Sequence, residues 1–316
     1  MKNGLKIGIP RALFFHTNAR GYLAFFERLG VEVVLSPETN QRIFESGIAL
    51  SIDESCLSVK IFMGHVKWLV GKCDKIFIPR IESFAFGENA CPKFMGMYDI
   101  VKNTLDVELI SFNINVNYGF KEQAAYIDLG RKLGFSKKES KAAYLAAKVA
   151  QEKYFDEQER VISKQLQSEK IKIAVVSHHY NTHDEFVGRA VIRSLRKHGV
   201  EVILACDLGS KYKERHKEFG EKTILWRFGK ELMGATAWLV PQVDGIIVVS
   251  TFPCGPDSMM NEMLRLELKS VPMVQFVFDE LQGQTGVETR IESFIDILNF
   301  KVLDNRVGEV ADEQIG

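Results

Sequence analysis

The sequence predicts an α/β protein, with two Rossmann-like or flavodoxin-like parallel-sheet domains and a helical connector between them. Three observations predict it. Short β-branched runs alternate with helical stretches, the order that winds a parallel sheet right-handedly. The alternation occurs twice along the chain in the same sequence of elements. The stretch between the two occurrences, roughly 120 to 167, is polar and helical in pattern.

Lys6-Ile7-Gly8-Ile9 reads as a strand, followed by a helix with Tyr22, Phe25, Phe26 and Leu29 on one face. Gly30 stops that helix, and Val31 to Leu35 reads as a second strand. Trp68, Leu69 and Val70 close a helix before the strand Lys75-Ile76-Phe77-Ile78, and an apolar run follows from Val107 to Ile110. The second half repeats this. Lys172 to Val176 is a strand, Val187, Ala190, Val191 and Leu195 line a helix, and Gly199 precedes the strand to Leu204. Trp238, Leu239 and Val240 close a helix before Gly245 to Val249, and Val271 to Phe278 is the last apolar run. In the connector, Ser136 and Glu139 have capping-box spacing, and Lys141 to Lys164 holds neither Gly nor Pro. It reads as a connector, a lid or a partner surface. The boundaries are an N-terminal domain at 1–118, the connector at 119–168, a C-terminal domain at 169–300 and a tail at 301–316.

A length of 316 residues suits two domains, and 46% hydrophobic with 26% charged residues suits a soluble globular chain. Lys+Arg and Asp+Glu are both 41, so no broad basic surface for nucleic acid is expected. No apolar run approaches the roughly 20 residues of a membrane span. The start, Met1-Lys2-Asn3-Gly4, leads into a strand without a secretory pattern. Five cysteines are too sparse for a disulfide framework, so a reducing cytoplasm is the expected setting.

Cys56, Cys91 and Cys254 stand out by their surroundings. Cys56 opens a helix in Asp53-Glu54-Ser55-Cys56, where Asp53 or Ser55 can cap. Pro92 and Pro256 pre-set the turns after Cys91 and Cys254, and Asp257 and Ser258 read as a cap for the helix through Met260, Met263, Leu264 and Leu268. Sites in open parallel sheets form beyond the carboxyl ends of the strands, so Cys91 and Cys254 are expected to face one cleft. A helix N-terminus lowers a thiol pKa and favours the metal-binding thiolate. Three thiolates around one cleft suit an iron–sulfur cluster with one iron position open. The alternative is a set of small buried hydrophobes, the reading given to Cys73 and Cys206.

The motifs are more specific than the spacing. Ile7-Gly8-Ile9-Pro10-Arg11-Ala12, Asp53-Glu54-Ser55-Cys56, Phe77-Ile78-Pro79-Arg80 and Cys91-Pro92-Lys93-Phe94-Met95-Gly96 occur in order. Tyr180-Asn181, Val243-Asp244-Gly245-Ile246, Cys254-Gly255-Pro256-Asp257-Ser258 and Thr289-Arg290-Ile291-Glu292-Ser293-Phe294 follow. Over about 5 to 300 this set resembles the 2-hydroxyacyl-CoA dehydratase / benzoyl-CoA reductase superfamily, in its acyl-CoA dehydratase activase-related (DUF2229) branch. The resemblance implies a single [4Fe–4S] cluster held by Cys56, Cys91 and Cys254, since the chain has too few cysteines for a double cubane. It implies reduction by a separate ATP-dependent activase of actin-like fold and an acyl-CoA substrate or a protein acceptor; a homo- or heterodimer is a further expectation. Neither a Walker loop nor a GxGxxG is present, so no ATPase activity of its own is expected.

Three functions follow as expectations. The first is an iron–sulfur redox component that accepts an electron from the activator and acts on an acyl-CoA-like substrate or a partner protein. The second is a non-enzymatic cluster scaffold or maturation factor, and the third a cluster-free small-molecule-binding module. In Ser177-His178-His179-Tyr180-Asn181-Thr182-His183-Asp184, His178, His179 and Tyr180 are candidate catalytic proton donors on a polar cleft wall. His179 and His183 have zinc-ligand spacing if helical, although Tyr180 and Asn181 suggest a loop. Arg11, Arg80 and Arg290 are candidates for an anion site or for interdomain ion pairs. His65 reads as a packing or supporting residue on the Cys56 helix.

Overall fold

A computed structural model describes residues 4–220, 224, 226–281 and 286–313, with 301–313 described by backbone alone. The N-terminal half contains β1 (Lys6–Ile9), α1 (Phe14–Leu29), β2 (Glu32–Leu35), α2 (Gln41–Ala49), α3 (Leu57–Leu69), β3 (Lys75–Phe77), β4 (Arg80–Ala85), β5 (Glu88–Asn89), α4 (Pro92–Thr104), β6 (Leu109–Ile110) and β7 (Asn113–Asn115). Two helices follow, α5 (Glu122–Lys132) and α6 (Lys137–Leu166). The C-terminal half contains β8 (Lys172–Val176), α7 (His179–Thr182), α8 (Gly188–Lys197), β9 (Glu201–Leu204), α9 (Arg227–Leu239), β10 (Gly245–Thr251), α10 (Gly255–Glu267), β11 (Met273–Phe278) and α11 (Val287–Glu313).

Each half has one four-stranded parallel sheet, in the orders β2-β1-β3-β6 and β11-β10-β8-β9. Counted within its own half, each order is 2-1-3-4, so the repetition legible in the sequence is a repetition of topology. The inner strands are buried on both faces: Ile7, Ile9, Ile76 and Phe77 in one sheet, and every residue of β10 in the other. The order reverses beside strand 1 of each sheet, and the loops leaving the carboxyl ends there form the facing surfaces.

A third sheet, β5-β4-β7, was not legible in the sequence. Its strands are very short, and β4 carries polar residues that no alternating pattern flags. Its strands β4 and β5 come between β3 and α4 in the chain, and β7 follows β6. The long helix α6 starts with the expected capping box, Ser136 N–H donating to Glu139 Oε2 at 2.7 Å and Glu139 N–H to Ser136 Oγ at 3.2 Å. It packs on α1, where the Gln151 amide donates to the Thr17 carbonyl at 2.8 Å, and it reaches β9 through Gln165 Nε2 to the Val202 carbonyl at 3.0 Å. One unbroken helix thus braces both halves. The final helix α11 continues across position 300, where the sequence pattern read a tail.

The halves touch directly. Leu57 N–H donates to the Phe252 carbonyl at 3.0 Å, and Ser58 Oγ lies 2.8 Å from Asn181 Oδ1 and 2.9 Å from Thr251 Oγ1. Helix α3 is held close to α2 because both have glycine at the crossing. A Cβ on Gly47 would stand 1.9 Å from the Lys60 carbonyl oxygen, and one on Gly64 would stand 2.0 Å from that of Ile43. Among the described residues, no helix is long and apolar enough to cross a membrane.

Candidate functional site

Cys56, Cys91 and Cys254 are each the N-cap residue of a helix, of α3, α4 and α10 respectively. Pro92 occupies the first turn of α4 and Pro256 that of α10, where a missing N–H costs nothing. The caps expected from Asp53 or Ser55 and from Asp257 and Ser258 are not made, because the cysteines hold those positions. Ser258 Oγ instead donates back to the Cys254 carbonyl at 2.7 Å, and Asp257 turns inward to His178.

The three cysteines line one pocket between the halves, together with His178, Tyr180 and Asp257. None is in a disulfide. The tight group of potential ligand atoms, all within 4.8 Å of one another, is a different one: His179, Cys206 and Asp207.

The thiols correct one expectation. Burial pushes Cys56 up to about 11 and raises Cys91 and Cys254 as well, the Asp257 carboxylate adding to the rise at Cys254. The amides of Val59, of Lys93 and Phe94, and of Asp257 pull the other way, without closing a capping hydrogen bond. Desolvation therefore outweighs the helix N-termini. The free thiols are protonated at neutral pH, and a bound cation must displace those protons.

His178 Nε2 lies 2.8 Å from Asp257 Oδ1, and its ring stacks on Tyr180 at 5.0 Å. Burial, then Asp257 and the cysteines, hold the Tyr180 phenol well above its usual range, so it is a neutral donor beside the thiols. The segment carrying these residues was expected to be a loop. It forms the short helix α7, with His178 as its N-cap and His183 as its C-cap.

His179 and His183 face away from the thiols. Their rings stack at 5.9 Å, and His183 stacks on His16 of α1 at 6.0 Å. Asp207 Oδ1 is 3.4 Å from His179 Nε2 and 3.9 Å from His183 Nε2. Burial by itself would raise the Asp207 carboxyl, but the contacts with His179 and His183 bring it well below the usual carboxylate range. Cys206, read as a buried hydrophobe, is buried, with its sulfur 3.5 Å from Thr182 Oγ1 and close to His179 and Asp207. His16 and Asp207 were missed in the sequence. The repeat itself held the signal for His16: it follows β1 as the histidine segment follows β8.

The arginines divide. Arg11 Nη1 lies 3.5 Å from Glu38, which also receives Arg189 of the other half at 3.1 Å, so this group does link the halves. Arg80 pairs with Asp99 at 2.5 Å inside the N-terminal half, and Arg290 donates to the Gln275 carbonyl at 2.7 Å and stacks over Phe276 inside the C-terminal half. The expectation of an interdomain contact is therefore corrected for Arg80 and Arg290, whose partners are local. Glu292 likewise pairs with His198. His65 is fully buried, with Ser36 Oγ at 2.8 Å and Thr39 Oγ1 at 3.0 Å, and Thr39 in turn donates to Asp184.

A family model described as "CoA enzyme activase uncharacterised domain (DUF2229)" matches residues 6–207. No curated protein matches the chain. Among solved structures, that of the SBP FpvC from Pseudomonas aeruginosa in complex with Mn2+ aligns over 93% of this chain and 95% of that one. Its identity is 13% and its TM-score 0.28, too slight a likeness to carry an argument. The family match overturns the functional expectation. The chain was read as a cluster-bearing component that is reduced by a separate activator and acts on an acyl-CoA-like substrate, with a cluster scaffold or a cluster-free binding module as alternatives. The matched family is described as a CoA enzyme activase domain, which points to the activator's role instead.

Proposed function

Because the chain belongs to the DUF2229 family of CoA enzyme activase domains, we propose that it serves on the activator's side, making a CoA enzyme competent rather than turning over that enzyme's substrate. The reading centres on one observation: cysteines from three distant segments each cap a helix and line a single pocket. Three thiol donors, none in a disulfide and all on one pocket, suit a [4Fe–4S] cluster held by Cys56, Cys91 and Cys254. When bound, such a cluster supplies one-electron transfer at low potential.

The chain's own residues prepare the place. Three helix N-termini aim backbone amides at the sulfurs and offset the negative charge of thiolates. Phe94, Trp226 and Phe228 line the pocket and exclude water. His178, fixed by Asp257, and the neutral Tyr180 phenol offer hydrogen bonds to whatever the sulfurs hold. Met259 lines the same pocket and is 40% exposed, so the thiols lie near the surface on that side, where a CoA enzyme can approach. Balanced charge gives nucleic acid no role in this reading.

Anaerobic reconstitution with ferrous iron and sulfide tests it. About four iron and four sulfide per chain are expected, with broad absorption at about 400 nm. Cys254→Ala should abolish both. The reading fails if that variant keeps its iron, or if a CoA enzyme is activated equally well with and without the chain.

A further inference from the structure

We propose a second metal site, separate from the thiols, in which His16, His179, His183 and Asp207 bind one divalent transition-metal ion such as Zn2+, Fe2+ or Mn2+. It does not depend on the activator reading. The Nε2 atoms of His16, His179 and His183 are all buried, and none has a hydrogen-bond partner. A buried polar atom left unpaired is destabilising, so three of them close together call for an explanation. The Asp207 carboxylate faces two of them at 3.4 and 3.9 Å, without the alignment of a hydrogen bond.

Three imidazole nitrogens and one carboxylate form a donor set for zinc or another borderline divalent metal. His179 and Asp207 already stand in one tight group, His183 lies 3.9 Å from the same carboxylate oxygen, and the His16 ring stacks on His183. An ion bound beside Asp207 would draw the His183 and His16 side chains inward to bonds of about 2.1 Å. The backbone supports the placement. Helix α7 begins with His179, and its C-cap is His183, one turn on, whose ring stacks on that of His179. His16 comes from the first turn of α1 in the other half. The ion thus bridges the halves where their strand-1 loops meet. Cys206, with its sulfur in the same tight group as His179 and Asp207, is a neighbouring donor of softer character. A cavity of about 290 Å³ is lined by His16 and His183, with Arg11, Arg20 and Arg189 balanced by Glu38, Asp184 and Glu185, and gives the ion a route in.

The test uses full-length protein stripped with a chelator, titrated with Zn2+ by calorimetry and with Co2+ by visible absorption. The Cys56→Ala/Cys91→Ala/Cys254→Ala variant is titrated in parallel. One ion per chain is expected in both proteins, with a Co2+ spectrum unchanged by loss of the three cysteines. His183→Gln and His16→Gln should each weaken binding by more than about tenfold, the scale on which even outer-shell partners act. Zn2+ should raise the melting temperature of the parent chain but not that of the histidine variants, whose unliganded melting temperatures serve as the folding control. The proposal is overturned if the stripped protein takes up no Zn2+. It is equally overturned if uptake survives in the histidine variants and disappears with the three cysteines. Either result leaves iron–sulfur reconstitution at the thiols to be judged on its own.

Discussion

The two sides of α7 solve different problems with the same few residues. On one side His178 and Tyr180 share a pocket with three sulfurs, each at the start of its own helix. On the other, His183 stacks between His16 and His179, with Asp207 3.4 Å from His179. The thiol side offers soft donors that burial keeps protonated. The imidazole side offers harder nitrogens that lack partners. Donor type sets which metals each side suits.

The largest expected effect sharpens that contrast directly. Cys254→Ala should eliminate iron and sulfide incorporation while leaving Zn2+ titration unchanged. Loss of both activities in this variant, with its fold intact by circular dichroism, would merge the two sites into one.

The next concerns protons. Because burial raises all three thiols, with Cys56 at about 11, few thiolates exist at neutral pH. Metal uptake by the thiol pocket should therefore strengthen as pH rises from 7 to 9, with proton release measurable by calorimetry in two buffers. Uptake that is flat over this range would contradict the desolvated environment described for these cysteines.

A several-fold effect is expected at Asp257, whose charge contributes to the raised Cys254 thiol. Asp257→Asn should lower the pH midpoint of Cys254 alkylation by iodoacetamide and speed the reaction at pH 8, because thiolate is the reactive form. An unchanged midpoint would show that burial alone sets the thiol.

The two sides also differ in how they are fastened to the N-terminal half. The thiol side uses Leu57 and Ser58 and, on the same helix, the Lys60–Glu280 ion pair, whereas behind the imidazoles Asp184 is joined through Thr39 to His65. Burial, then the Arg11 charge, lowers His65 to about 3, so stability is lost as pH falls from about 6.5 toward 3. Burial raises Asp184 to about 6 against the hydrogen bonds from Thr39 and Phe186, so stability is lost as pH rises from about 4 to 6. The two slopes oppose each other between about 4 and 6. Asp184→Asn should unmask the His65 limb, and urea unfolding should show stability climbing with pH there by up to a few kcal/mol. Parallel curves for parent and variant would refute this. The smallest effect belongs to Glu38, half-exposed between Arg11 and Arg189. Glu38→Gln should cost less than about 1 kcal/mol in the same assay.

Much of this was written locally. The repeated strand–helix–strand pattern, the capping box of α6 and the Pro and Gly after the cysteines each involve residues within one turn or one strand of each other. Short-range geometry decides such features, so the α/β class and the candidacy of Cys56, Cys91 and Cys254 could be read from the chain. The three-stranded sheet β4, β5 and β7, the helical form of α7 and the partners of Arg80 and Arg290 could not. Each depends on which neighbours the folded chain supplies.

Sequence by itself fixed the types of donor available and the helix starts on which the thiols would stand. Tertiary structure decided the rest. It brought His16 from the first helix to His183 and Asp207, far along the chain, and it buried the thiols deeply enough for desolvation to outweigh the helix N-termini. The physical reason is range: propensities and caps act over a few residues, whereas ligand convergence and dielectric environment are set by whatever packs alongside, however distant in the chain.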